Sequence, residues 1–172
     1  MKKVLILLAM AWLLVSCSAN STNADSSPLD YIDQVNSTDL TAEQGGIASL
    51  GGSEEELKKQ RGEPKMRMEP DKSTVILEYE DYQYSVIDGK VAGYMIVKPG
   101  IPTARQVQVG DAEARIAEMY GKDFFKRNQG DIALIGYVDK NNRKLMELSI
   151  IQDKVAAIVV SDLSVFVPSQ GK

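Results

Sequence analysis

Histidine is missing from the 172 residues, and cysteine occurs once, at Cys17. Without histidine there is no Ser-His-Asp triad and no imidazole metal ligand. With one cysteine there is no intrachain disulfide and no Cys-rich zinc site. The single tryptophan, Trp12, sits in the N-terminal leader. The chain also lacks a G-x-S-x-G elbow, a phosphate-binding G-x-x-x-x-G-K-[ST] loop and a G-x-G-x-x-G fingerprint. The glycine-rich stretch "QGGIASLGGS" (44–53) has no phosphate-loop lysine and is expected to be a hinge into a helix.

What is present first concerns location. Lys2 and Lys3 precede an apolar run from Val4 to Val15. A run of about a dozen residues suits a signal peptide and is short for a membrane span. The run ends in Leu14-Val15-Ser16-Cys17, which resembles the bacterial lipobox. That resemblance implies cleavage between Ser16 and Cys17, with diacylglycerol attached to the Cys17 sulfur. Two acyl chains give stable anchoring where one gives only marginal binding. A lipid-anchored protein on the extracytoplasmic face of a cell membrane is therefore expected, with no other cofactor. "SANSTNADSSP" (18–28) has too little apolar surface to fold. A flexible tether is expected over 17–46, after a signal peptide at 1–16. Without residues 1–16 the chain keeps 18 basic and 24 acidic residues, a net of −6. Such acidity argues against a nucleic-acid partner, which requires concentrated Lys and Arg.

The remaining chain repeats itself. "LGGSEEELKKQRGEP" (50–64) aligns with "VGDAEARIAEMYGKD" (109–123), matching Gly51, Leu57 and Gly62 to Gly110, Ile116 and Gly121. "YQYSVIDGKVAGYMIV" (82–97) aligns with "MELSIIQDKVAAIVVS" (146–161). Ser53 and Asp111 stand where helix N-caps belong, and Ser53 to Glu56 fits a capping box. Gly62 and Gly121 suit the helix exits, and Pro64 forbids continuation in the first copy. Strands are expected at 74–80, 82–87 and 90–97, and again at 131–138, 144–151 and 154–161. Asp88-Gly89 marks a tight hairpin. The fold class is α+β: two tandem α-β-β-β units (47–100 and 101–172), each a short helix on one face of an antiparallel sheet, packed together or sharing one sheet. The strands "VAGYMIV" and "VAAIVV", apolar on both faces, should be central or covered.

The glycine and apolar spacing of each unit, with a hairpin ending in "DGKV", resembles the β-lactamase-inhibitory-protein-like repeat. Related units occur in small outer-membrane lipoproteins, and "IPTARQVQVGDAEARIAEMYGK" (101–122) resembles repeats in extracellular lipoproteins of Gram-positive bacteria, with a similar unit in the domain found beside CAP (cysteine-rich secretory protein-like) domains. The resemblance implies binding of proteins or other surface components without catalysis. The partner is expected to be another envelope protein or a wall component.

Alternation along the middle strands turns Tyr82, Tyr84 and Val86, and Met146, Leu148 and Ile150, toward a core. Gln83, Ser85, Glu147 and Ser149 face the other way and form the candidate binding face, with Tyr79 and Tyr94 as further candidates. No catalytic or metal-binding residue is expected. The alternatives are a carboxylate-based hydrolase of wall polymers, drawing on Glu78, Glu80, Asp81 and Glu147, or a structural spacer. Lys58, Lys59, Arg61, Lys65 and Arg67 are expected on the solvent face of the first helix, with contact to anionic lipid headgroups as the alternative.

Overall fold

A computed structural model describes residues 27–47 and 49–166. Ser16 and Cys17 lie outside the described residues. Both expected helices form, only the first behind a side-chain cap. Helix α1 (Glu54–Arg61) starts at a complete capping box. Ser53 Oγ accepts from the Glu56 amide at 3.1 Å, and the Glu56 carboxylate accepts from the Ser53 amide at 2.8 Å. Three glutamates in its first turn and Lys58, Lys59 and Arg61 in its last complement the helix dipole. Helix α2 (Glu113–Tyr120) is capped at Ala112, without a side-chain hydrogen bond. Asp111, expected as its N-cap, lies one residue too early. Its carboxylate instead accepts from the Gln108 amide at 2.9 Å and pairs with Arg115 at 3.3 Å.

Eight strands form one antiparallel sheet. They are β1 (Met66–Met68), β2 (Thr74–Glu78), β3 (Gln83–Ile87), β4 (Lys90–Ile96), β5 (Phe125–Gln129), β6 (Ile132–Asp139), β7 (Lys144–Ile151) and β8 (Lys154–Asp162). The order across the sheet is β1-β2-β3-β4-β8-β7-β6-β5. The doubly apolar strands β4 and β8 therefore lie side by side at the centre, paired from Gly93↔Ser161 to Ile96↔Ile158. The edge strands β1 and β5 were not expected. One is three residues long and the other reads FKRNQ, so neither carries a strong apolar alternation.

The two ends of the sheet share details. The register shifts between Ser85 and Val86 in the β3–β4 pair and between Ser149 and Ile150 in the β7–β8 pair. Isolated bridges join Ser53 to Lys90 and Ala112 to Lys154. Tyr79 Oη donates to the Gly62 carbonyl at 2.9 Å, and Tyr137 Oη to the Gly121 carbonyl at 2.8 Å. Burial pushes the Tyr137 phenol up to about 12.

Both hairpins place two central residues at positive φ: Asp88 (50°) and Gly89 (77°), and Gln152 (52°) and Asp153 (59°). Such turns match the twist of the strands but favour Asn-Gly. Replacing Gln152-Asp153 by Asn-Gly is expected to stabilise the protein by about 1 kcal/mol, seen as a higher urea midpoint. An unchanged or lower midpoint would show that this turn carries no strain.

The inner sheet face carries α1 and α2. Leu57 and Ile116 from the helices join Leu77, Tyr84, Ile96, Met146, Leu148, Ile158 and Val160 in one buried cluster. The expected tether over 17–46 needs correction, because residues 27–46 belong to the fold. A 3-10 helix, Pro28–Gln34, has its own capping box at Ser27. Leu40 enters the main core. Its amide donates to Asp139 Oδ2 at 2.9 Å, and Lys144 Nζ donates to the carbonyls of Leu40 and Glu43 at 3.2 and 3.0 Å. Buried Glu43 accepts from the Tyr120 hydroxyl and from the Ala104 amide. Val35 joins Phe125, Val138, Leu145 and Leu163 in a second cluster on the outer face of the sheet, with Tyr31 and Ile32 packed against it.

Candidate functional site

The register assigns every strand residue to a face. On the outer face, opposite the helices, one row across the sheet reads Met66, Glu78, Gln83, Met95, Val159, Glu147. The next row reads Met68, Ile76, Ser85, Gly93, Ser161. Alternation along β7 turns Ile151 to this side as well. Met66, Val97 and Ile151 are the large hydrophobic residues exposed among the described residues, at 50%, 47% and 46%. Met66 and Ile151 point to the outer side of β1 and β7, in opposite halves of the sheet, and Val97 directly follows β4. Met68, Ile76, Gln83, Ser85, Met95 and Val159 are half-buried on the outer face.

Of the expected face, Gln83 and Ser85 thus sit together in the middle of β3, bordered by methionines on β1 and β4. Glu147 and Ser149 point to the same side but are buried. Glu147 makes a two-point ion pair with Arg127 of β5, Nε to Oε1 at 2.7 Å and Nη2 to Oε2 at 2.8 Å. The side chains of this pair are 5% and 2% exposed. The outer face is therefore open toward β1–β4 and closed toward β5–β7, where Tyr31 also stacks on Phe125 with ring centroids 5.2 Å apart.

Tyr79 and Tyr94 do not belong to the outer face. Both are buried on the inner side, at 6% and 3% exposure. Tyr79 packs edge-on against Tyr84, and the Tyr94 ring occupies the space beside Gly45 where a Cβ would fall. Burial raises both phenols above their ordinary value.

Four of the five basic residues around α1 are matched by carboxylates. Lys58 and Arg67 pair with Glu54, Arg61 with Asp81, and Lys65 with Glu80. Asp81 is pushed up by burial, but the Arg61 guanidinium and backbone amides hold it below its ordinary value. Three of the four carboxylates considered for hydrolysis therefore sit in separate ion pairs: Glu80 and Asp81 near α1, and Glu147 of β7 with Arg127 of β5. Glu78 lies opposite Gln83 and Met66 on the outer face. Among the described residues no group of three or more Asp or Glu is placed to hold a metal ion.

Sequence reasoning missed Met66, Met68, Ile76 and Met95 as members of the open face. The alternation was present in "MRM" and "VILE", but β1 is too short to be recognised alone.

No family model and no curated protein matches the chain. Solved structures resemble it. A DUF4309 family protein from Bacillus subtilis matches over 71% of this chain and 90% of its own, at 14% identity and a TM-score of 0.51. An extracellular protein containing an SCP domain from Bacillus anthracis matches at 13% identity and a TM-score of 0.48, over 86% of this chain. A cysteine-rich secretory protein from Staphylococcus aureus matches at 10% identity and a TM-score of 0.49, over 76% of this chain. The chain spans half the length of each of these last two. At such identities the likeness to the Bacillus subtilis protein is one of fold.

Proposed function

We propose that this chain is a lipid-anchored extracytoplasmic protein whose two tandem units form a non-catalytic module for docking another envelope protein. The observation that carries the reading is the gathering of exposed Met66 with half-buried Met68, Ile76 and Met95 on the outer sheet face, around Gln83 and Ser85. Apolar residues gathered on one open face, with a few polar groups among them, suit a protein partner. A spacer has no need of such a face. Methionine adapts its shape to a partner surface. The matching register shifts, helix-entry bridges and tyrosine hydroxyls support two copies of one unit. Their sharing of one sheet offsets the small core each would have alone. The anchor rests on Lys2, Lys3, the Val4–Val15 run and Cys17. No described helix is long and apolar enough to cross a membrane.

The test is a double substitution, Met66→Arg with Gln83→Arg, in the intact protein. Partner capture should fall by about tenfold or more, while the melting temperature stays within a few degrees. Glu55→Arg, on α1, should leave capture unchanged. Full capture by the double variant would remove this face as the docking surface.

A further inference from the structure

A second surface, on the helix side, differs between the two ends of the sheet. The bridges Ser53↔Lys90 and Ala112↔Lys154 place α1 and α2 in equivalent positions. Counting from them, Glu113 stands where Glu54 does, Ala114 where Glu55 does and Ala117 where Lys58 does. Further on, Phe124 replaces Lys65, and Lys126 replaces Arg67. The pairing of Glu54 with Arg67 at 2.9 Å is matched by Glu113 with Lys126 at 2.7 Å. What has no counterpart is the Lys58 side chain. In α1 it is only 29% exposed and its ammonium lies 3.1 Å from Glu54. In α2 a groove of about 370 Å³ is found, lined by Glu113, Ala114, Ala117, Phe124, Ile135 and Asp153.

The charges of this groove favour a cation. Its lining carries two carboxylates and no basic side chain. Lys126 stands at its border, its ammonium 5.8 Å from the Phe124 ring centroid and paired with Glu113 at 2.7 Å, as Arg67 pairs with Glu54 beside Lys58, which leaves Asp153 as the second carboxylate. Asp153 holds φ at 59°, where the other hairpin has Gly89. We propose that the groove takes a lysine side chain of a peptide partner. Its stem would lie on Ala114, Ala117 and Phe124, with its ammonium at Glu113 and Asp153, repeating what Lys58 does on α1.

The probe is the capped tripeptide Ala-Lys-Ala, titrated into the intact protein while backbone amide resonances are followed. The comparison peptide replaces lysine by norleucine, which keeps the stem and removes the charge. Saturable shifts at Ala114, Ala117 and Asp153 are expected with the lysine peptide, and binding about tenfold weaker with norleucine. Ala117→Lys should restore the α1 arrangement and abolish binding; Phe124→Lys serves the same purpose should that variant not fold. Asp153→Asn should weaken binding without changing the spectrum elsewhere. Equal binding of both peptides, binding that survives Ala117→Lys in a folded variant, or no saturable shift would each overturn the proposal. Met66→Arg with Gln83→Arg should leave these shifts intact, which separates this groove from the outer sheet face.

Discussion

Arg127→Ala is expected to lower the free energy of unfolding by about 3–5 kcal/mol, the cost of leaving one member of a buried ion pair alone. The guanidinium and the Glu147 carboxylate bond at two points in a place where both side chains are almost wholly buried. Removing Arg127 strands a carboxylate that water cannot reach. Glu147→Ala, which removes the carboxylate that the buried guanidinium bonds at two points, should also destabilise the protein. Replacing both, by methionine and leucine, should cost much less, since an apolar pair removes the charge burial as well as the attraction. Urea unfolding of the three variants tests this. Equal losses in the single and double variants would show that the pair acts by packing rather than by charge. The expected result also settles the role of Glu147 as a structural group within the outer face, away from the open half.

Gly93→Val is expected to cost about 2–3 kcal/mol, in the upper range of overpacking effects. A Cβ at Gly93 would stand 2.6 Å from the Val160 carbonyl oxygen and 3.1 Å from Ser161 Cα. The obstruction is backbone, so no rotamer relieves it. It falls where β4 meets β8, and four paired positions form that seam. The strands must part there or tilt. Hydrogen exchange should therefore accelerate first at Tyr94, Met95, Ile158 and Val159. Wild-type stability and unchanged exchange in the variant would mean that the seam has slack.

Features set by neighbouring residues were legible in the sequence. Ser53 and Glu56 cap α1 through bonds spanning three residues, and Asp88-Gly89 sets its hairpin through two. The central position of β4 and β8 followed from apolar residues on both of their faces. Burial of Glu147 was not legible, because its partner is twenty residues away on a strand whose FKRNQ sequence conceals it. The folding back of residues 27–46 was hidden for a similar reason. Val35, Leu40 and Glu43 are scattered among polar residues, and their partners Val138, Asp139 and Tyr120 lie far along the chain. Tyr94 shows how one bulge misleads. The register shift at Ser85 and Val86 leaves Ala92 between Val91 and Gly93 as the extra residue, so Val91 and Tyr94 both face inward although they are three apart. Tyr79, in step with Leu77, could have been placed inside by alternation alone.

The central claim is that the outer sheet face near β3 meets a protein in the cell envelope. The direct measurement is photo-crosslinking from a reactive residue at position 83, compared with one at position 55 on α1, in cells producing the intact protein. Mass spectrometry then identifies the adducts. One reproducible protein adduct from position 83, not obtained from position 55, is the predicted result. No adduct from position 83, or the same adducts from both positions, would contradict it.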